Sequence, residues 1–205
     1  MFAHGAGAGM DHPFMESCAT ALAACGIGTF RYEFLYMEQK KSRTDSPPVA
    51  AARVREAVAE AAKAAPGVPL FAGGKSFGGR MTSTAQSEEP LAGVRGLVFL
   101  GFPLHAPGRP GTERAAHLAK VKVPMLFIQG SRDEFAQPGL LGGIIELLGA
   151  EVTLHPVEGG DHSFKVPKKI RGGDQPVMDE IADETASWMR SVLSGKPATR
   201  ADSRA

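Results

Sequence analysis

Three short apolar runs constrain the fold of this chain more than any other feature. They lie at 67–74 (GVPLFAGG), 94–102 (VRGLVFLGF) and 122–130 (KVPMLFIQG), and each runs into glycine. Unbroken apolar runs of this length are what strands become when helices cover both faces of a parallel sheet. A fourth run at 151–158 (EVTLHPVE) alternates as a strand, and an aromatic-rich stretch at 28–36 (GTFRYEFLY) predicts a strand of about six residues. The opening MFA reads as a stub of strand.

Helix signals fall between these runs. Asp11 is placed to cap a helix, with Pro13 close behind, that continues to Gly26. Over 49–65, Val54, Val58 and Ala61 share one face while Arg and Glu occupy the rest. Residues 76–87 read as a helix despite two glycines, followed by helices at 138–150 and from Gln175 to Leu193, the last with Trp188 and Met189 on its apolar side. The alternation predicts an α/β protein, a three-layer α/β/α sandwich on a mostly parallel sheet. A single domain is expected over 1–194, with a polar tail over 195–205.

Composition narrows the function classes. The 205 residues are 43 % hydrophobic and 22 % charged, which is globular rather than disordered. Lys plus Arg number 23 against 22 for Asp plus Glu, a balance that gives no reason to expect a nucleic-acid or anionic-membrane partner. Cys18 and Cys25 lie seven apart on one expected helix, their Cα atoms roughly 10 Å apart, beyond disulfide reach. The amino terminus has no basic start and no apolar core segment, so it does not read as a signal peptide. No stretch approaches a membrane span, and a cytoplasmic protein is expected. His12, His117 and His155 show no ligand spacing, so neither metal nor cofactor is expected.

The segment 73–80 (GGKSFGGR) first suggests a phosphate-binding loop, but that loop would require glycine at position 69, where Pro69 stands. The same residues also read as Gly-x-Ser-x-Gly: Gly74, Lys75, Ser76, Phe77, Gly78. A strand that reverses sharply into a helix lifts one serine to its crest, and the close approach of the chains demands small residues two before and two after it. Lys75 is expected to point away from the serine and pin the turn by an ion pair, with recognition of substrate charge as the alternative.

Two further strand ends carry complementary groups. Asp133 follows the run ending at Gly130, and His162 follows the glycine-rich turn after 151–158. Open parallel sheets hold their active sites at such carboxyl ends. The chain order Ser76, Asp133, His162 is that of α/β-hydrolases and of neither other serine-triad fold. Glu134 and Asp161 are rival acids. Asp133 immediately follows its turn, whereas adjacent side chains such as Asp161 and His162 rarely face each other. The early loop HGAGAG at 4–9 can bring backbone N–H groups beside the nucleophile. Ala6 and Phe77 are the expected oxyanion donors, with Gly5 shaping the turn. His4 either orients that loop by hydrogen bonding or lies closer to substrate.

With these residues in place, the chain resembles a small bacterial α/β-hydrolase of the dienelactone-hydrolase-like kind. More narrowly it is similar to a group related in fold to a testis-expressed protein and to a subunit of a chromatin acetyltransferase complex. The matching segments are 4–15, 73–81, 101–110, 129–135 and 159–164. The resemblance implies the hydrolase fold, a triad of Ser76, Asp133 and His162, and a cap confined to 102–114. His105 and Arg109 in that segment are candidates for substrate contact or parts of a rigid surface loop. A cap so small implies an open, shallow site.

The expected reaction is hydrolysis of a small carboxylic ester or thioester, with an acyl substrate and water as the partners. Two other classes stand beside it: a non-catalytic interaction module on a hydrolase scaffold, and an acyltransferase or peptidase. Phe2, Phe14, Phe102 and Phe164 either line the pocket or pack the core. Five complete strand runs and a stub are fewer than the full sheet of this fold, whose first two strands are expected to be missing. The chain reads as a pared-down core or as one whose start lies downstream of the natural one.

Overall fold

The computed structural model describes residues 1–149, 151–170 and 175–195. Six strands form one sheet: β1 (Phe2–Ala3), β2 (Arg31–Tyr32), β3 (Leu70–Lys75), β4 (Val94–Leu100), β5 (Met125–Gly130) and β6 (Val152–Val157). Their spatial order is β2-β1-β3-β4-β5-β6, and every pairing between them is parallel. Parallel neighbours require crossovers, supplied here by α1 (Pro13–Ala24), α2 (Leu35–Glu38), α3 (Pro47–Ala64), α4 (Phe77–Glu88), a 3₁₀ segment (Glu113–Lys120) and α5 (Pro138–Leu148), while α6 (Val177–Leu193) follows the last strand.

The apolar runs show why three layers form. Successive residues of a strand face opposite sides. Leu97, Phe99, Met125 and Phe127 therefore enter the core shared with Val54, Val58 and Met81 of α3 and α4. Val98, Leu100, Leu126 and Ile128 enter the opposite core with Met15, Leu22, Ile181 and Trp188 of α1 and α6. Leu97, Phe99, Leu126, Phe127 and Ile128 are fully buried. Burial of one such side chain contributes about 2 kcal/mol, and a polar substitution on either face would break the layer it enters.

Several local expectations need correction. The aromatic stretch at 28–36 holds a strand of two residues, not six, and its second half turns into α2. The cause is tertiary: Phe34 and Tyr36 turn inward and pack edge-on to the ring of Phe77. At α1 the side chain that caps is His12, which accepts the N–H of Phe14, rather than Asp11. The helix ends at Ala24, so Cys25 is its terminal cap and Cys18 alone lies within it. Both thiols are free, and burial pushes that of Cys18 up to about 12. His155 does meet acids, Glu180 at 3.0 Å and Glu184 at 3.7 Å, because β6 and α6 bring together residues far apart in the chain. The polar tail, from 196 on, lies outside the described residues. No described helix is long and apolar enough to cross a membrane.

Candidate active site

β3 ends at Lys75 and α4 begins at Phe77, so the whole reversal falls on one residue. Ser76 takes φ 48° and ψ −112°, a conformation that side-chain-bearing residues rarely adopt. Such strain costs on the order of 1–3 kcal/mol and persists only where the surroundings enforce it. The flanking glycines make the turn possible. A Cβ on Gly78 would stand 2.6 Å from the carbonyl oxygen of His4, and one on Gly74 would collide with the carbonyl of Ala3. β1 and the loop after it thus pack directly against the elbow.

Three side chains meet at the carboxyl ends of β3, β5 and β6. His162 Nε2 lies 2.9 Å from Ser76 Oγ, and His162 Nδ1 lies 2.7 Å from Asp133 Oδ2. An ionised carboxylate only accepts, so Nδ1 carries the proton and Nε2 is left to accept from the serine hydroxyl. Asp133 is buried and takes further donors: Gln129 Nε2 at 2.6 Å on Oδ2 and the Phe135 N–H at 2.8 Å on Oδ1. The ring of Phe135 stacks on His162 with centroids 4.2 Å apart. Glu134 is exposed. Asp161 caps its own turn, accepting the N–H groups of Ser163 and Lys165.

The loop at 4–9 comes against the serine, since a Cβ on Gly5 would stand 3.9 Å from Ser76 Cβ. Fully buried His4 gives its Nδ1–H to the Gly5 carbonyl at 2.9 Å and accepts the Phe34 N–H at Nε2, 3.1 Å away. These two bonds use both nitrogens of the neutral ring. Glu33 Oε2 lies 3.0 Å from the same Nε2, which would suit a protonated ring instead. Burial outweighs Glu33 and pushes the His4 pKa below its ordinary value, so the neutral form stands. Tyr36 and Glu33 hold the loop from outside, accepting the N–H groups of Gly7 at 3.2 Å and Met10 at 2.9 Å. Among the described residues, neither Ala6 N–H nor Phe77 N–H donates to an acceptor.

A sequence profile of the family described as "Alpha/beta hydrolase domain" matches residues 1–190. The chain belongs to the α/β-hydrolase family. Solved α/β-hydrolase-like structures share its fold. A putative α/β hydrolase from Agrobacterium tumefaciens has a TM-score of 0.70 at 18 % identity, covering 97 % of this chain and 88 % of its own. A monoacylglycerol lipase from Paleococcus ferrophilus has a TM-score of 0.68 at 14 % identity, covering 93 % of each chain. An α/β serine hydrolase without lid from Xanthomonas campestris has a TM-score of 0.66 at 20 % identity, covering 97 % and 83 %.

Some residues at the centre of this α/β-hydrolase take other partners than its sequence suggests. Lys75 turns beneath the His162 loop and donates from Nζ to the His162 carbonyl at 2.5 Å, not to a carboxylate within ion-pair distance. The rings of Phe14 and Phe164 flank its ammonium at 5.8 and 5.4 Å. Burial pushes its pKa down to about 8, against the opposing pull of Asp133 and Asp161. Gln129 had no signal beyond its place at the end of a strand. Phe2 and Phe102 pack in the core. His105 is buried, with Nδ1–H on the Ala106 carbonyl at 2.9 Å, and its backbone N–H donates to Phe135 O. Arg109 is exposed, in a tight turn whose N–H returns to Ala106 O. A cavity of about 730 Å³, lined by residues of α1, α6 and β3 among others, includes none of Ser76, Asp133 and His162.

Proposed function

We propose that this α/β-hydrolase is a serine hydrolase that cleaves a small carboxylic ester or thioester through an acyl-serine intermediate. The observation that carries the reading is the unbroken chain Ser76 Oγ, His162, Asp133, with links of 2.9 and 2.7 Å, raised on the strained elbow. Motifs resembling the dienelactone-hydrolase-like group support the same chemistry.

In the first half-reaction His162 Nε2 accepts the hydroxyl proton as Ser76 Oγ attacks the carbonyl carbon. The carbonyl oxygen gains the negative charge and is received by the N–H groups of Ala6 and Phe77. Asp133, held by Gln129 and Phe135, stabilises the imidazolium that forms. Collapse expels the alcohol or thiol, which takes the proton from His162 Nε2. Water, deprotonated at the same nitrogen, then attacks the acyl-serine, and the acid leaves as Ser76 regains its proton. His4 serves here by fixing the Gly5 carbonyl, so that the next N–H faces the oxyanion. Lys75 acts as a positioning residue, tying the His162 backbone to the residue before the nucleophile. A short connection over 102–112, with Phe102, Leu104 and His105 buried, leaves little to cover the site, which suits small or accessible esters. The lidless hydrolase with the same fold fits that picture.

A panel of short-chain p-nitrophenyl esters and acyl thioesters tests the reading. Wild-type protein should release leaving group in a burst followed by slower turnover, and Ser76→Ala should remove both while keeping its fold. Turnover by Ser76→Ala at the wild-type rate would refute it. Transfer to an added alcohol or amine in preference to water would make the protein an acyltransferase instead.

A further inference from the structure

We propose that Arg80 and Arg114 form an anion subsite beside Ser76, and that the preferred ester or thioester carries a negative charge. The inference rests on the serine-hydrolase reading and adds the substrate class.

Arg80 stands one helical turn beyond the nucleophile, its N–H donating to the Ser76 carbonyl at 3.1 Å. Helical side chains lean toward the amino terminus, so a long one at this position returns over the first turn. The guanidinium carbon of Arg80 accordingly lies 6.0 Å from the centre of the Phe77 ring, and Phe77 carries one of the two proposed oxyanion donors. Arg114 stands on the 3₁₀ segment that packs on α4, close enough for its charge to act on Arg80, and donates from Nη1 to the His105 carbonyl at 3.1 Å. Both arginines are half-buried. Burial, and after it the neighbouring charge of Arg114, hold the Arg80 pKa below its ordinary value.

What these two cations lack is a counter-ion. Two arginines of α3, by contrast, are met by glutamates: Arg53 by Glu38, Glu56 and Glu60, and Arg55 by Glu88 and Glu89. No carboxylate among the described residues stands within ion-pair distance of Arg80 or Arg114. The nearby titratable side chain is His117, bonded through Nε2 to Ser83 Oγ at 2.7 Å and kept neutral by burial and by the charge of Arg80. On the loop that steadies Arg114, His105 Nε2 is buried and has no partner among the described residues. Two half-buried like charges side by side cost stability unless an anion joins them. Paired guanidinium forks suit a planar carboxylate or a phosphate oxygen pair. Their place beside the elbow puts that anion on the substrate itself.

The test compares matched neutral and anionic esters. Mono-p-nitrophenyl glutarate against p-nitrophenyl pentanoate places the charge on the acyl arm. The pentanoyl ester of 4-hydroxybenzoate against that of its methyl ester places it on the leaving group. In one pair, wild-type kcat/KM should favour the anion by about tenfold or more, as a charge-assisted hydrogen bond allows. That ratio should shrink as ionic strength rises, collapse toward one in Arg80→Met and Arg114→Met, and survive largely in Arg80→Lys. If the methionine variants fail to fold, the wild-type ratio and its salt dependence decide. A protein that hydrolyses neutral and anionic esters equally in both pairs would overturn the subsite and leave the serine-hydrolase reading standing. So would a preference that persists in the Arg80→Met, Arg114→Met double variant. Failure to hydrolyse any ester, with Ser76 inert to a fluorophosphonate, would instead overturn the underlying reading, and the subsite with it.

Discussion

Lys75 donates to the backbone carbonyl of His162, and so ties the residue before the proposed nucleophile to the residue proposed as its base. The two lie 87 positions apart in sequence. The bond joins β3 to the loop after β6 across the top of the sheet, and two phenyl rings keep water from it. Lys75→Met should therefore lower kcat for any ester by about tenfold or more, with a smaller change in KM, because the imidazole loses its fixed position while the surface that meets substrate remains.

The same lysine makes stability depend on alkaline pH. Its folded pKa of about 8 lies below the ordinary 10.5, so between these values the unfolded chain binds the proton and the folded chain does not. Stability supplied by this group rises with pH across that window, by up to about 3 kcal/mol. Urea midpoints at either end of the window should show the gain in wild type and its absence in Lys75→Met.

At acid pH the corresponding group is His117, whose pKa is pushed down to about 4 from 6.5 by burial and by Arg80. As pH falls through 6.5 the unfolded chain takes up the proton first, and stability is lost until about 4. Partial exposure reduces the effect to on the order of 1–2 kcal/mol. His117→Asn should flatten this part of the stability profile in chemical denaturation.

The elbow separates chemistry from strain. Ser76→Ala and Ser76→Gly both remove the hydroxyl, but only glycine relaxes at φ 48°. Ser76→Gly should be the more stable of the two by about 1 kcal/mol, read from paired thermal melts, and both should be inactive.

Gln129 holds two partners at once, accepting the Phe102 N–H at 2.8 Å and donating to Asp133. Gln129→Leu should cost about 1–3 kcal/mol of stability by leaving buried polar groups unpaired, and should also slow acylation. A stopped-flow burst measured beside a denaturation curve reads both effects.

Lys75 and Gln129 show where sequence reading reaches its limit. The apolar runs, their glycine ends, Ser76, Asp133 and His162 were legible because strand patterning and turn chemistry are local. Lys75 is expected from sequence to pin the turn through a carboxylate, the ordinary partner of a lysine; its actual partner, the His162 carbonyl, and the rings of Phe14 and Phe164 around it come from segments far from it in the chain. Gln129 lies inside a run that reads as apolar, and its polar end matters only once β4 and β5 are side by side. The stretch at 28–36 misled for the opposite reason. Its aromatics favour a strand locally, yet Phe34 and Tyr36 are held by Phe77, a partner some forty residues on. Arg80 and Arg114 are brought within electrostatic reach of each other by the packing of α4 on the 3₁₀ segment, which no local pattern announces.

The central claim is that Ser76 is a nucleophile activated by His162. Reaction with a fluorophosphonate, followed by mass mapping of the labelled peptide, tests it most directly. One label per chain should appear on Ser76, disappear in Ser76→Ala, and form at least about a hundredfold more slowly in His162→Ala. A folded wild-type protein that takes up no label, or takes it up on another residue, would contradict the account.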